Sequence, residues 1–301
     1  MLGSGGAKRP SKLEDLIDGR LMGRLDRLDV VSRKMFPGKL QGERRSKRRG
    51  QSVEFEDYRN YVAGDDLRFI DWNVYARLER LFVKIFLEEE DLAVHVALDA
   101  SASMDTGTPN KLVFAARLAM AVGYVGLVRQ NRVGMTVFGR PGRDDAARPL
   151  GIDRLPDMRG RHNVRRLGSF VLDAVWGGRD STAATGGPPA PGGDFNTALR
   201  TIAKLRVGKG VMVVLSDFLV DEGYEAGLRT LAAAGGYDTY CVQVLSPGEV
   251  EPEKEAEGGI TGDLRLTDIE SGRGAEVTVT APVIKRYKER LRAYCAGLGA
   301  F

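Results

Sequence analysis

The stretch Leu92–Met104, which reads Leu-Ala-Val-His-Val-Ala-Leu-Asp-Ala-Ser-Ala-Ser-Met, decides the fold. Its first seven residues are apolar or nearly so and lead straight into Asp99. A continuous apolar run of this length is typical of a strand that is buried on both faces, as in a parallel sheet. Asp99 then stands at the carboxyl end of the strand, where open α/β sheets bind their ligands.

The residues that follow Asp99 bring more oxygen atoms to the same turn. Ser101 and Ser103 place two hydroxyls beside the carboxylate. Carboxylate and hydroxyl oxygens suit hard cations, so the pattern predicts a site for Mg²⁺ or Mn²⁺, with Ca²⁺ as a further choice. The alternative interpretation is a polar turn whose serines cap the next helix, with no ion bound.

From residue 92 to 245, apolar strand patterns alternate with helical ones. This alternation predicts an α/β fold with a doubly wound, mostly parallel sheet that carries helices on both faces. The predicted helices are Pro109–Gln130, His162–Val175, Asn196–Leu205 and Tyr224–Ala234, and the predicted strands after the first are Val133–Phe138, Val211–Leu215 and Thr239–Leu245.

The last part of the chain predicts a hairpin followed by a helix. Leu264–Thr267 and Glu276–Thr280 form the hairpin, because they flank the turn signal Ser-Gly-Arg-Gly. A helix is predicted over Pro282–Ala296. The residues up to Phe301 are typical of the start of another strand, so we expect the sheet to continue beyond it.

The N-terminal part divides into two segments. Residues 1–40 comprise a Gly- and Ser-rich start, expected to be disordered, and an amphipathic helix from Lys12 to about Met35 that Pro37 ends. Residues 41–91 form an accessory charged and aromatic β segment. The third predicted domain is 92–301, with the hairpin inserted near 246–280.

The accessory segment is dense in opposite charges. We expect a partly buried ion-pair network that Trp72 anchors, and a strand over Leu81–Leu87 that pairs antiparallel with Leu92–Leu98. The charged residues concerned are Arg59, Arg68, Arg77, Asp57, Asp65, Asp66 and Asp71.

Composition is that of an ordinary globular protein, with 43% hydrophobic and 29% charged residues. Two cysteines allow no disulfide framework and no thiolate metal site. We find no uninterrupted apolar run that would span a bilayer and no signal-peptide pattern, so we expect a cytoplasmic protein without a transmembrane segment. The net charge of +4 is uneven, because residues 1–50 carry 14 Lys and Arg against 6 Asp and Glu.

A second carboxylate, Asp217, follows the predicted strand Val211–Leu215, and the segment Gly-Gly-Asp194-Phe-Asn-Thr197 opens a helix between the two strands. Together these motifs resemble the metal-ion-dependent adhesion site (MIDAS) of von Willebrand factor type A domains. More narrowly, the chain resembles the bacterial domain of unknown function 58 family, which carries such a domain. The segments that carry this resemblance are Val53–Tyr61, Gly64–Trp72, Asp99–Met104, Ser216–Phe218 and Asp268–Gly272.

The resemblance implies a function as well as a fold. It implies a von Willebrand factor type A-like sheet, and it associates the chain with MoxR-type AAA+ ATPases. Ser101 and Ser103 would ligate an ion directly, while Asp99 and Asp217 would hold its waters. An open coordination position would accept an acidic residue of a partner. The expected protein is therefore a non-enzymatic, metal-dependent protein-binding module, an adaptor or co-chaperone of such an ATPase that also binds a client protein.

One position departs from the family pattern. Related sites carry Thr directly after the Gly-Gly pair, where this chain has Asp194. Thr197, three residues later, is the alternative ligand if the loop is rearranged. Either residue completes the predicted metal site, or the site is degenerate and holds no ion.

Two other function classes stay open. The first is a metal-dependent hydrolase or phosphoryl transferase that uses Asp99 and Asp217, but only His95 and His162 could serve a serine nucleophile as a base, and no phosphate-binding loop is present. The second is a nucleic-acid-binding protein that uses the basic run Arg44–Arg49. No aromatic residues interleave that run, so we expect nucleic-acid binding to be the weaker alternative.

Overall fold

The structure, a computed structural model, describes residues 9–30, 53–88, 92–140, 151–177, 193–205, 209–254, 262–270 and 272–301. The basic run Arg44–Arg49 and most of the expected disordered start lie outside these residues. The chain separates into two compact units. One combines Met1–Ser32 with Ala93–Phe301, and the other is Arg33–Leu92.

The N-terminal segment forms two short helices rather than one long one. Helix α1 (Leu13–Leu16) ends at Ile17, whose backbone is extended, and α2 (Gly19–Leu25) begins one residue after Asp18. The single helix predicted from Lys12 to Met35 is therefore wrong, although residues 31–35 themselves lie outside the described part. Asp18 explains the break, because its carboxylate accepts the Leu21 amide at 2.6 Å and starts a new helix.

The unit of residues 33–92 is built on one antiparallel pair of strands. Strand β1 (Val53–Asn60) pairs with β2 (Phe82–Glu88), and α3 (Trp72–Leu78) lies between them in the chain. The carboxylate of Asp71 caps α3 by accepting two backbone amides of its first turn, from Asn73 at 2.9 Å and Val74 at 3.2 Å.

Two of the expected ion pairs are seen in the described residues, Arg59–Asp65 and Arg68–Asp66, and both lie at the surface of this unit. Arg59 binds Asp65 through two hydrogen bonds of 2.7 and 2.6 Å, and both side chains are partly or largely exposed. Trp72 is 60% exposed. The prediction that Trp72 anchors the network is therefore wrong, because a side chain this exposed does not pack over the pairs. The carboxylates of Asp65 and Asp66 are partly buried, as expected.

The larger unit contains a five-stranded sheet of order β5-β4-β3-β6-β7. All neighbouring pairs are parallel except β4 and β5, which are antiparallel. In chain order its elements are β3 (Ala93–Asp99), α4 (Lys111–Val128), β4 (Arg132–Phe138), β5 (Asp153–Met158), α5 (Val164–Trp176), α6 (Phe195–Leu205), β6 (Gly210–Ser216), α7 (Glu225–Ala233), β7 (Tyr237–Gln243), α8 (Pro247–Val250), β8 (Gly262–Thr267), β9 (Gly274–Val279) and α9 (Ala281–Ala300).

Strand β3 is the centre of this sheet and pairs in parallel with β4 on one side and β6 on the other. The predicted antiparallel pairing of β2 with β3 is therefore wrong. Every residue of β3 is buried, and both edges of such a strand are taken by parallel neighbours. Because the chain moves outward from β3 in both directions, the carboxyl ends of β3 and β6 form a topological switch point, where open α/β sheets bind ligands.

Helices cover both faces of the sheet. Helix α4 lies against one face of β3, and α5 packs beside it. Helices α6 and α7 cover the other face, where Ala93 and Ala97 join a core with Met212 and Val214 of β6. The alternation of strands and helices therefore predicts this mostly parallel, helix-flanked sheet correctly.

The ends of the sheet differ from the expectation in two places. Strand β5 is absent from the prediction, because its sequence Asp-Arg-Leu-Pro-Asp-Met lacks an apolar run. The expected start of a strand near Phe301 is wrong, since Gly299 and Ala300 belong to α9. The predicted hairpin and the C-terminal helix itself are confirmed as β8, β9 and α9.

One described helix, Lys111–Val128, has the length and apolar composition of a membrane span, although Arg117 interrupts its apolar sequence. Most of this helix, α4, is buried inside the fold. The central helix of a water-soluble domain meets the same criteria, so α4 gives no decision about a membrane.

Candidate functional site

Asp99 ends β3 and is almost completely buried, with 4% of its surface exposed. Its Oδ1 accepts the amide of Ser101 at 2.9 Å, and its Oδ2 accepts the hydroxyl of Ser216 at 2.6 Å. Burial and the nearby charge of Asp217 raise the pKa of Asp99 to about 6, although these two hydrogen bonds oppose the rise. The carboxylate therefore carries a charge that its surroundings do not balance.

Asp217 follows β6 at the neighbouring strand end and is also buried. Its Oδ2 accepts a hydrogen bond from Lys111 Nζ at 2.9 Å, and its Oδ1 accepts the Leu219 amide at 3.1 Å. The next residue, Phe218, has a φ of +56°, which is uncommon for a residue with a side chain. The turn after β6 is therefore held in a defined, strained conformation at the site.

The serine hydroxyls lie at the same turn. Ser101 Oγ and Ser103 Oγ are 3.1 Å apart, and both side chains are partly buried. Gly139 comes close to the same turn with a φ of +75°, and a Cβ there would stand 2.9 Å from Asp99 Oδ1 and 3.4 Å from the Ser101 amide nitrogen. The chain after β4 thus comes close to the carboxylate, which only a glycine permits.

The structure brings Asp99, Ser101, Ser103 and Asp217 together at the carboxyl ends of β3 and β6. Asp194 and Thr197 lie at the start of α6 and bind each other. Asp194 Oδ2 accepts both the Thr197 amide, at 2.8 Å, and the Thr197 hydroxyl, at 2.5 Å. Within the described residues, neither of them hydrogen-bonds to the first four. Their membership of a metal site stays a prediction.

Asp194 has a different electrostatic environment from Asp99. Burial alone would raise its pKa, but the hydrogen bonds from Thr197 and from the Asn196 amide, together with the charge of Arg200, outweigh it and lower the pKa. Asp194 is therefore a stabilised, charged cap of α6.

Lys111 and Glu249 are two site residues that the sequence analysis missed. The side chain of Lys111 is only 1% exposed, and its Nζ donates to Asp217 Oδ2 and, at 2.5 Å, to Glu249 Oε1. Lys111 is the first residue of α4, where the helix dipole disfavours a cation. A lysine directly after the cap residue Asn110 is unfavourable for the helix, so its presence there indicates that nearby carboxylates stabilise it.

A family comparison covers this whole arrangement. The model of the family described as "Protein of unknown function DUF58" matches residues 57–295, which include every residue of the strand-end site. The chain belongs to this family. The resemblance read from the sequence is thereby confirmed at the level of the DUF58 family.

Relatives of this DUF58 chain carry no functional description. It is 28% identical over 277 residues to the uncharacterized protein Rv1480 of Mycobacterium tuberculosis, covering 90% of this chain and 78% of the relative. It is 26% identical over 149 residues to the uncharacterized protein MAV169 of Mycobacterium avium, covering 48% of this chain and 75% of the relative.

Solved structures that align with the chain are distant. An aerotolerance-related membrane protein of Bacteroides fragilis aligns over 66% of this chain and 87% of its own, with 18% identity and a TM-score of 0.36. The conserved hypothetical protein BatB of Bacteroides thetaiotaomicron aligns over 66% and 85%, with 17% identity and a TM-score of 0.36. Because the TM-scores and identities are this low, the strand pairings of the DUF58 chain itself define its fold.

The donor set of the DUF58 site fits a hard divalent cation better than a soft one. Among the described residues, no three His, Cys, Asp or Glu side chains cluster as metal ligands. The strand ends offer two carboxylates and two hydroxyls, and the pKa of Asp99 is raised first by burial and then by the charge of Asp217, which a bound cation would offset. Asp99, Ser101, Ser103 and Asp217 are the residues that could hold such an ion.

Both histidines of the DUF58 chain have hydrogen-bond partners outside the strand-end site. The ring of His95 is buried on β3, and its Nε2 lies 2.8 Å from Thr136 Oγ1. His162 lies in an exposed turn directly before α5, where its Nε2 is 3.0 Å from Asn163 Nδ2. Neither ring is hydrogen-bonded to Ser101 or Ser103, so a serine–histidine pair of the kind that activates a nucleophile is not formed by these two residues.

The turn after β6 is tied to the C-terminal helix. The hydroxyl of Tyr294 on α9 donates to the carbonyl of Phe218 at 2.6 Å. Phe218 also lies in a chain of edge-to-face aromatic contacts whose ring centroids are about 6 Å apart. These rings are Phe138, Phe195, Phe218 and Tyr224. Packing of these rings, together with the hydrogen bond from Tyr294, therefore fixes the turn that carries Asp217.

Proposed function

We propose that this DUF58 chain is a non-enzymatic, metal-ion-dependent protein-binding module with a von Willebrand factor type A-like site. The observation that carries the proposal is the pair of buried carboxylates at the switch point of the sheet, of which Asp99 is not balanced by its surroundings. A bound Mg²⁺ or Mn²⁺ would supply an electrophilic position for an acidic residue of a partner.

The chain's own groups would prepare this position. Ser101 and Ser103 would present hydroxyl oxygens, while the amide of Ser101 and the hydroxyl of Ser216 hold the Asp99 carboxylate in a fixed orientation. Phe218 and the aromatic rings below it hold the turn that carries Asp217. Such a preorganised set of oxygens favours binding over catalysis, because within the described residues neither His95 nor His162 is hydrogen-bonded to the hydroxyls.

We propose a MoxR-type AAA+ ATPase as the partner, with the chain acting as an adaptor or co-chaperone that presents a client protein in the cytoplasm. The ATPase follows from the family resemblance, and the predicted ion site gives a surface through which such a partner would dock. The runner-up interpretation, a hydrolase that uses the same two carboxylates, would require one of them to act as a base, whereas Asp99 is held by the Ser101 amide and the Ser216 hydroxyl and Asp217 by Lys111.

A pull-down of the co-expressed ATPase by the tagged chain tests the proposal. We expect capture in Mg²⁺, and similar losses on adding EDTA or on the substitution Asp99→Ala. If salt weakens capture and EDTA does not, docking runs through basic residues such as Arg44–Arg49 and the metal-dependent part is wrong. Failure to capture the ATPase in every buffer, nucleotide included, contradicts the adaptor function.

A hydrolysis assay separates the binding module from an enzyme. We expect the purified chain to leave nucleotides, phosphoesters and peptides intact. Turnover that is present in the wild-type chain and lost in Ser101→Ala would replace the proposal with the hydrolase alternative.

A further inference from the structure

A cation of the protein itself already binds one of the two strand-end carboxylates. Lys111 Nζ lies 2.9 Å from Asp217 Oδ2 and 2.5 Å from Glu249 Oε1, and its side chain is 1% exposed. An ammonium group loses a large hydration energy on such burial, so it remains there only because two carboxylates surround it.

The elements around Lys111 keep it in this position. Its backbone starts α4, directly after the cap residue Asn110. Glu249 belongs to the short helix α8, where its other oxygen, Oε2, accepts the amide of Ser246 at 2.7 Å. The carbonyl of Glu249 accepts the hydroxyl of Tyr287 on α9 at 2.9 Å. Asp217 after β6 and Glu249 on α8 therefore meet at the ammonium group, and α9 holds the backbone of Glu249.

The two strand-end carboxylates differ in the charge of their hydrogen-bond donors. The ammonium group of Lys111 binds Asp217, whereas the hydrogen bonds to Asp99 come from neutral donors, the Ser101 amide and the Ser216 hydroxyl. A divalent ion that approaches Asp217 thus meets an oxygen that already has a positively charged partner. The ion and the ammonium group would then lie on the same carboxylate, and two positive charges so close together in a buried site repel strongly.

We infer that Lys111 is a resident counter-charge that competes with the divalent ion for Asp217 and so sets the affinity of the site. Glu249 gives the ammonium group a second partner, and the ammonium group moves away from Asp217 toward Glu249 when the ion binds. This inference rests on the proposed metal site and adds to it the residue that tunes ion affinity.

Isothermal titration with MgCl₂ tests the inference in two variants beside the wild-type chain. Lys111→Met removes the ammonium group while keeping a similar side-chain volume. The double variant Lys111→Met with Glu249→Gln removes one positive and one negative charge, so the net charge near Asp217 equals that of the wild type. Gln at position 249 also keeps an acceptor for the Ser246 amide.

We expect both variants to bind Mg²⁺ with a dissociation constant lower by roughly tenfold or more. Tighter binding in the single variant together with wild-type binding in the double variant would show an effect of net charge alone and overturn the inference. Unchanged or weaker binding in both would also overturn it, and Lys111 would then be a residue that positions Asp217.

The outcomes also separate this inference from the proposed function. If wild type and variants bind with equal affinity, the metal site stands and the inference fails. If only the variants bind, the inference holds and the metal-dependent function of the resting protein fails. If none binds at millimolar Mg²⁺, both fail.

Circular dichroism and thermal melting establish that each variant folds. Should the buried charges left unpaired prevent folding, the wild-type chain gives the answer directly through the ¹⁵Nζ NMR signal of Lys111, assigned with Lys111→Arg. We expect saturating Mg²⁺ to shift that signal as the ammonium group leaves Asp217. A signal that stays in place while Mg²⁺ binds overturns the inference.

Discussion

The carboxyl end of β3 and the amino end of α6 each carry an aspartate that the sequence assigns to the same ion site, yet the two aspartates differ in burial and in the direction of their pKa shift. Asp99 is buried, and its pKa rises to about 6 because of burial and the charge of Asp217. Asp194 is exposed, and its pKa falls because the hydrogen bonds of a helix cap outweigh its partial burial.

The difference separates a carboxylate that costs folding energy from one that contributes it. Asp194 stabilises α6 by binding the Thr197 side chain and two backbone amides, which is reason enough for its presence. Asp99 stabilises its own turn less than its burial costs. A protein retains such a group when it serves binding or catalysis, which is why perturbed pKa values mark functional sites.

The largest expected effect concerns the pH dependence of stability, measured by urea unfolding in EDTA. A carboxyl whose pKa is higher in the folded state binds more protons when folded, so its contribution to stability falls as pH rises between about 4 and 6. At about 1.4 kcal/mol per pKa unit, the loss is on the order of 3 kcal/mol. We expect Asp99→Asn to remove this loss.

Asp194→Asn is the matched control, with the opposite sign. The lowered pKa of Asp194 gives stability that is present above the ordinary aspartate pKa and is lost as pH falls through the folded value. If both variants leave the same pH profile as wild type, the contrast between the two aspartates does not exist in solution.

A second prediction adds a methyl group next to Asp99. In Gly139→Ala the new Cβ would meet Asp99 Oδ1 at 2.9 Å in a backbone with positive φ, so we expect a loss of about 2 kcal/mol or more in unfolding free energy. Gly235→Ala is the control, because Gly235 also has positive φ but no atom within 4 Å of the added Cβ. Equal losses, measured by urea unfolding, would mean that the contact with Asp99 has no effect.

A third, smaller effect is expected at the start of α6. Asp194→Ala removes the acceptor of the Thr197 and Asn196 amides, and we expect it to cost about 1 kcal/mol of unfolding free energy. Thermal melting of Asp194→Ala beside Asp194→Asn measures this, because Asn also caps helices. If Asp194→Asn lowers the unfolding free energy as much as Asp194→Ala does, the negative charge at position 194 and not the capping hydrogen bonds stabilises α6.

The central part of the fold could be predicted because its sequence signals are strong. The apolar run before Asp99 and the run before Asp217 are buried on both faces of the sheet, as continuous apolar strands require. Strand β5 and the break between α1 and α2 could not be predicted as easily. Strand β5 forms because it pairs with the outer edge of β4. The helix break arises because Asp18 caps a new helix although the apolar spacing continues through it.

The site was predicted in part for a similar reason. Asp99, Ser101, Ser103 and Asp217 follow strands directly, so topology places them together. Contacts that join distant parts of the chain leave little trace in sequence. Lys111 reaches Asp217 from 106 positions away and Glu249 from 138, and Gly139 approaches Asp99 from the next strand. Only the unfavourable position of a lysine at a helix start signals this arrangement.

Calorimetric titration of the chain with MgCl₂ and MnCl₂, comparing wild type, Asp99→Ala and Asp194→Asn, tests most directly whether the strand ends hold an ion. We predict saturable binding by the wild-type chain, a loss of binding at millimolar ion in Asp99→Ala, and binding close to wild type in Asp194→Asn. An equal loss in both variants would make Asp194 a ligand and not only a cap. Absence of binding in the wild-type chain would contradict the account.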